Sequence, residues 1–450
     1  MKKASSYLLG AVFVLLVALF IWSYFMVPLS VEGSLTLACA KLWAQGYQPW
    51  TDFQWADCPL GLGIMSLVYW LGGINTSGYW FLGLMCGLHL LNLFLLYLAM
   101  EHCKISTTGI LLGLIFYLVV LFSLNGLQEN LQPFAVCFGL LSLLALQKRD
   151  FTWSAAWLAV ALLTQEHAIL LLPALLLLAY WKKDSSFIKY VGVLLAVFAV
   201  GYVAVFIFTG QPGWLLQLDL FRIDPSSTLF VRESNLVIQL ARFSFYFLFL
   251  VFIFWDEVAL HTRRYTVVAW VVLFCLAGLM LLYTDMAMGM LLLPWMALAL
   301  GLLVTELSDR KWVAVVWVSV FLLPGFLMLR EVKKLQFGQL RTEQRANLAE
   351  LENLFQKPTL TLPVFLRASE YTFGPQVYSE VPNLLPADLL NPQEKGENRL
   401  DYVLRQMKKA DVVLMDLNAF LYMNNEHGDE LWEALGDRTE RSVGQFMLME

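Results

Sequence analysis

Three acids and five aromatic side chains crowd one stretch of this sequence. Glu32, Asp52 and Asp57 share residues 28–58 with Trp43, Tyr47, Trp50, Phe53 and Trp55, and with one cation, Lys41. Carboxylates accept hydrogen bonds from sugar hydroxyls, and flat rings cover the apolar face of a sugar. The mixture therefore suits carbohydrate recognition; it also suits an interfacial aromatic belt with solvated acids. Asp52 and Asp57 straddle ring side chains just ahead of Pro59. A carboxylate held in a dry, ring-walled cleft has a raised pKa, as a general base working near neutrality needs.

Other ionisable residues stand at the ends of apolar runs. Glu129 precedes the run 131–147, Glu166 and His167 fall between two short runs, and Asp285 follows Tyr283. Boundary acids are costly and usually face a cavity. Glu129 is equally explained as an N-terminal acid favoured by the helix dipole. Glu166 and His167 also read as a polar turn, and Asp285 as a plain turn residue. Arg222 and Arg232, with Arg242 close behind, lie in and after the stretch 210–235. The guanidinium fork fits a phosphate or pyrophosphate; snorkelling to headgroups is the alternative. Trp50, Trp55, Glu129, Glu166, His167, Arg222 and Arg232 are thus candidate substrate contacts. No phosphate-cradling Gly loop, zinc spacing or serine-hydrolase elbow occurs in a credible context. The acids at 32, 52 and 57 are chemically able to hold a divalent metal, but no spacing demands one.

The elements that must position these groups are apolar. The chain has 450 residues, 59% hydrophobic and 14% charged, with a mean hydropathy of +0.65. Runs long enough to cross a hydrocarbon core of about 30 Å recur through the first three quarters, and spans in lipid must be helices. They are expected at 8–27, 79–100, 107–124, 131–147, 151–164, 168–181, 190–209, 236–255, 265–283, 286–304 and 312–329. The first run is too long for a signal peptide and lacks a cleavage site. The run 59–73 is short and opens with Pro59, so it reads as a juxtamembrane or re-entrant helix.

Charge sets the expected topology. With 59–73 not crossing and Lys2 and Lys3 inside, the inside segments hold 12 basic residues, and the outside loops hold Lys41, Arg222 and Arg232. A crossing 59–73 would reverse this bias against the positive-inside rule. The stretch 151–181 has Lys148 and Arg149 at one end and Lys182 and Lys183 at the other, so it is expected as a hairpin. Its arms of about 21 Å are short for the bilayer, which would sink the tip Gln165-Glu166-His167 below the outer surface. The expected fold is an all-α polytopic membrane protein with about 11 transmembrane helices, an outer juxtamembrane helix and a small C-terminal α/β domain. The N-terminus is inside and the tail outside.

Residues 1–330 form the expected membrane domain and 331–450 the tail. The tail carries 13 Lys+Arg against 19 Asp+Glu, and the rest 17 against 16, so the net charge of −5 belongs to the tail. That balance speaks against nucleic-acid binding. In the tail, strands are expected over 359–366 and 411–415, a helix near 398–409 and a loop around 381–396. Of six cysteines, Cys39 and Cys58 share the first outer loop and have the option of a disulfide if it is outside.

The first loop also carries a pattern: Val31-Glu32-Gly33 after the first span, Gly46-Tyr47 closing a helix, Trp50-Thr51-Asp52-Phe53, then Pro59-Leu60 and Leu71-Gly72 around a short apolar helix. This resembles the GT-C superfamily of membrane glycosyltransferases, near the bacterial protein O-mannosyltransferase and lipid A aminoarabinose transferase types. The resemblance spans the chain in architecture and rests at motif level on 28–73 and Glu129. It implies an inverting transferase at the periplasmic face of a bacterial inner membrane. The sugar would come from a polyprenyl-phosphate donor and go to a lipid, glycan or protein acceptor. An acid at the end of the first span would be the general base, with Glu32, Asp52 and Asp57 the catalytic candidates. The family's leading Asp falls on Val31, a departure that leaves the base among these three. A transporter or flippase of lipid-linked glycan would need inverted repeats and broken helices, and none is visible. A polymerase of O-antigen type would need larger late loops. A non-catalytic binder of lipid-linked sugar is the remaining alternative.

Overall fold

The computed structural model describes residues 2–26, 31–51, 53, 55, 58–72, 79–123, 131–165, 168–169, 171–181, 186–211, 289–307, 359–361, 384–386, 404–405, 407–416, 428–443 and 446–449. Ten helices are described: α1 (Lys2–Met26), α2 (Val31–Ala44), α3 (Pro59–Gly72), α4 (Tyr79–His102), α5 (Thr107–Ser123), α6 (Gln132–Gln147), α7 (Phe151–Thr164), α8 (Leu171–Trp181), α9 (Ser186–Thr209) and α10 (Gly289–Leu307). Eight expected spans coincide with α1 and α4 to α10. Those at 236–255, 265–283 and 312–329 lie outside the described residues. The break between α7 and α8 falls at Gln165, where the hairpin tip is expected.

Burial shows what solvent these helices need. Along α9, Ile188, Leu195, Val200, Ile207 and Phe208 are all exposed, and Ile188 is 81% accessible. Exposed apolar side chains over a helix of about 36 Å suit lipid rather than water. On α3 one face is buried through Leu62, Met65 and Tyr69, while Leu67, Trp70 and Leu71 stay exposed. That pattern fits a short helix lying against the bundle with its other face in lipid.

The turns are set by backbone chemistry. Gly46 takes φ 99° and ends α2; its N–H reaches Trp43 O at 3.0 Å and that of Tyr47 reaches Leu42 O at 3.1 Å. This is the paired closure of a Schellman motif. The same geometry ends α4 at Lys104 (φ 56°) and α6 at Arg149 (φ 62°). Asp150 then caps α7, accepting from Trp153 N at 3.2 Å.

Packing places α6 between α4 and α7, α9 along α7, and α10 along α5. Close approach explains the last pair. A Cβ on Gly109 would stand 2.5 Å from Gly301 O, and one on Gly113 2.7 Å from Ala297 O. The seam is sealed by Thr305 Oγ1, which accepts from Ser106 N at 2.9 Å. In lipid, small residues and side-chain hydrogen bonds stand in for the hydrophobic driving force between helices. Ser142 and Ser154 do the same between α6 and α7, with Ser142 Oγ donating to Ser154 O at 2.8 Å.

Towards the C-terminus, β1 (Thr359–Thr361), β2 (Leu384–Pro386), β3 (Val412–Asp416), β4 (Glu440–Val443) and β5 (Phe446–Met449) form one sheet in the order β2-β1-β3-β5-β4. β1 pairs in parallel with β2 and β3, and β5 antiparallel with β3 and β4. The expected loop at 381–396 thus contributes β2; three paired residues are too few to leave an alternation in the sequence. Arg438 ties the sheet to the helical turn at 407–409, donating to Met407 O at 2.8 Å and to Ala410 O.

Candidate functional site

The stretch 45–58 is not an open loop. Pro49 and Phe53 form a bridge, and Trp50 N donates to Phe53 O at 2.7 Å. Trp50 sits at φ 62°, a left-handed conformation costly for a bulky residue. Two indole bonds help fix it: Trp50 Nε1 donates to Trp55 O at 2.7 Å and Trp55 Nε1 to Cys58 O at 3.4 Å. Both rings are buried, at 7% and 5% exposure, with Phe53 fully buried beside them. Trp50 and Trp55 therefore shape the loop from within, their polar N–H groups turned onto its own backbone.

Three other elements meet this folded loop. The Cys58 thiol donates to Leu162 O near the end of α7 at 3.2 Å. Gly61, in the first turn of α3, abuts Leu131, the residue that opens α6; a Cβ there would come within 2.6 Å of Leu131 Cδ1. Gln211 Nε2, just past α9, donates to Thr51 Oγ1 at 2.9 Å.

The ends of α6 and α7 are also set deep. Asn92 Nδ2 donates to Pro133 O at 2.9 Å, which places the start of α6 beside residue 92 of α4. Asn92 is 13 residues beyond Tyr79 (92 − 79), about 20 Å along α4. On the other side, Gly201 of α9 packs against Leu163 of α7. From there α9 runs on for eight residues to Thr209 (209 − 201), about 12 Å past the end of α7. Two short helices thus make a floor, and two long helices rise past it. The loop 45–58 and the start of α3 lie over that floor.

Against this frame the candidate residues divide. Asp57 immediately precedes Cys58, Asp52 follows Thr51, Glu166 follows Gln165 and Glu129 stands two residues ahead of Leu131. These four lie outside the described residues; their described neighbours Thr51, Cys58, Leu131 and Gln165 belong to the loop or the floor. Glu32 falls in the first turn of α2, 12 residues from Ala44 (44 − 32), or about 18 Å of helix from where the loop begins. His167, Arg222, Arg232, Arg242 and Asp285 also lie outside the described residues. Cys39 and Cys58 are both buried and are not joined by the optional disulfide.

Buried polar residues that composition did not single out lie near the floor. His89 and Asn92 sit one turn apart on one face of α4, at 2% and 0% exposure, and Gln132 opens α6 at 1%. The His89 ring meets Phe20 of α1 edge-on at 5.6 Å. The signal was available: polar residues spaced i, i+3 inside an apolar run mark one face of a helix. Lys41 is a second surprise. It lies in the last turn of α2 with 6% exposure, and burial pushes its amine down to about 8. Among the described residues no group of three or more His, Cys, Asp or Glu is placed to hold a metal ion.

The geometry can now be set against known proteins. No protein-family model matches the chain, and no curated protein is similar to it. Two solved structures are similar: ArnT from Cupriavidus metallidurans bound to undecaprenyl phosphate, and the same protein in the apo state. The first is 12% identical with a TM-score of 0.59, covering 100% of this chain and 98% of the other. The second is 13% identical with a TM-score of 0.56, covering 99% and 98%. The likeness over the full length is one of fold.

Proposed function

We propose that this chain, folded as a GT-C-type transferase is folded, moves a sugar from a polyprenyl-phosphate donor to an acceptor at the periplasmic face of a bacterial inner membrane. One observation carries the reading: Thr51 and Cys58 of the folded loop and Gly61 of α3 meet α7, the residue just past α9 and the start of α6, above the recessed ends of α6 and α7. Asp52, Asp57, Glu129 and Glu166 lie within two residues of Thr51, Cys58, Leu131 and Gln165 in the sequence, and acids at such a boundary are costly unless they are used. The undecaprenyl phosphate in the similar ArnT structure supports a polyprenyl-linked partner.

The chemistry is a single displacement. A carboxylate takes the proton of the acceptor hydroxyl or amine as the acceptor attacks the anomeric carbon. The bond from that carbon to the phosphate oxygen breaks, polyprenyl phosphate leaves with the electron pair, and configuration inverts. Glu32, Asp52 and Asp57 are the base candidates. Glu129, Glu166 and His167 would face the reacting groups, and Arg222 and Arg232 would neutralise the donor phosphate. Residues 1–330 would be the catalytic membrane domain and 331–450 the outer α/β domain.

The test is transfer from a polyprenyl-phosphate sugar by purified protein carrying Glu32→Gln, Asp52→Asn or Asp57→Asn. Loss of a general base is expected to cost at least 100-fold in turnover. Wild-type turnover in all three would rule these acids out as the base, and absent transfer by the wild-type protein would sink the enzymatic reading. Val31, standing where the family has its leading Asp, favours one rival: a non-catalytic binder of lipid-linked sugar. That protein would bind the donor and release no polyprenyl phosphate.

A further inference from the structure

We propose that Asn92 is a positioning residue: its buried amide fixes how far along α4 the first turn of α6 sits, and so the depth of Leu131, two residues after Glu129 in the sequence. The inference rests on the transferase reading above for its functional consequence, but not for its geometry.

Two polar contacts pin α6 against α4. Near one end, Asn92 Nδ2 donates to Pro133 O at 2.9 Å; at the other, Gln147 Nε2 reaches Cys103 Sγ at 3.3 Å and Ala99 O at 3.4 Å. Leu131 occupies the N-cap and offers no side-chain cap, and Pro133 has no N–H to give. Apolar surfaces in lipid slide with little penalty, since tails and side chains are equally apolar, so register falls to the few polar contacts. A shift of α6 by one turn, about 5.4 Å, would break both pins. Asn92 is fully buried and spends its amide nitrogen on this bond, while its Oδ1 has no hydrogen-bond partner. A residue kept for packing alone would be served as well by leucine. Gly61 pressed on Leu131 carries the same register across to α3 and the loop.

The experiment uses the full chain in detergent with Asn92→Leu, which keeps the volume and removes the donor, and Asn92→Ser as a smaller second variant. A cysteine introduced by Glu129→Cys reports depth through its labelling rate with a water-soluble maleimide, corrected for the protein without it. With Asn92→Leu, labelling is expected to change at least threefold. In otherwise wild-type protein, turnover should fall at least tenfold with donor KM held within twofold. Asn92→Ser should give the same direction, which covers the case in which the leucine variant does not fold. Unchanged labelling and turnover in whichever variants fold would overturn the proposal. Absent transfer by the wild-type protein would sink the transferase reading alone, since the labelling shift remains readable.

Discussion

Replacing Gly109 by alanine should damage this protein far more than replacing Gly83. Both lie inside helices, and alanine is the better helix former, so propensity alone predicts a gain of about 0.5–1 kcal/mol at either site. At Gly83 of α4 an added Cβ meets nothing within 4 Å, and that gain should appear. At Gly109 of α5 it would stand 2.5 Å from Gly301 O, 2.8 Å from Ile105 Cγ2 and 3.0 Å from Thr305 Oγ1. The first of these is a backbone atom and cannot swing aside, so α5 and α10 must part. Overpacking of this kind costs about 1–3 kcal/mol. The separation also stretches the bonds from Ser106 N to Thr305 Oγ1 at 2.9 Å and between the two hydroxyls at 3.2 Å, each worth about 0.6 kcal/mol between helices in lipid. The expected gap between the two variants is roughly 3 kcal/mol. Unfolding of both in mixed micelles by SDS titration measures it. Equal midpoints would refute the close-packed seam.

Two further outcomes follow from the first loop. Trp50→Phe keeps a ring but strands the buried Trp55 carbonyl now served at 2.7 Å, a loss of about 1–2 kcal/mol; faster amide exchange over residues 47–58 should report it, and unchanged exchange would contradict the inward-turned indole. Lys41 has an amine lowered by burial from an ordinary 10.5 to about 8. Between those values the unfolded chain holds a proton that the folded chain has lost, so stability should rise with pH across that window, by at most about 3 kcal/mol. Below pH 8 both states are charged and the slope vanishes. A slope between pH 8 and 10.5 that survives in Lys41→Met would show that it arises elsewhere.

What the sequence determined by itself is whatever a local rule can write. Run length and composition marked α1 and α4 to α10, because lipid demands helices of a fixed span. Gly46 ended α2 because only a left-handed closure leaves the helix there, and the apolar stretch 151–181 breaks after Thr164, at the polar residue Gln165. The crowd of acids and rings at 28–58 was visible as composition. Its meaning was not, because whether an indole offers its face to a ligand or its N–H to its own loop depends on contacts that no spacing encodes. Trp50 and Trp55 turned inward. Asn92 interrupts an apolar run, and α6 begins beside it. The depth of that beginning is a property of α4 and α6 together, set by a side-chain amide and a backbone carbonyl 41 positions apart in the chain, and so only the tertiary structure could decide it.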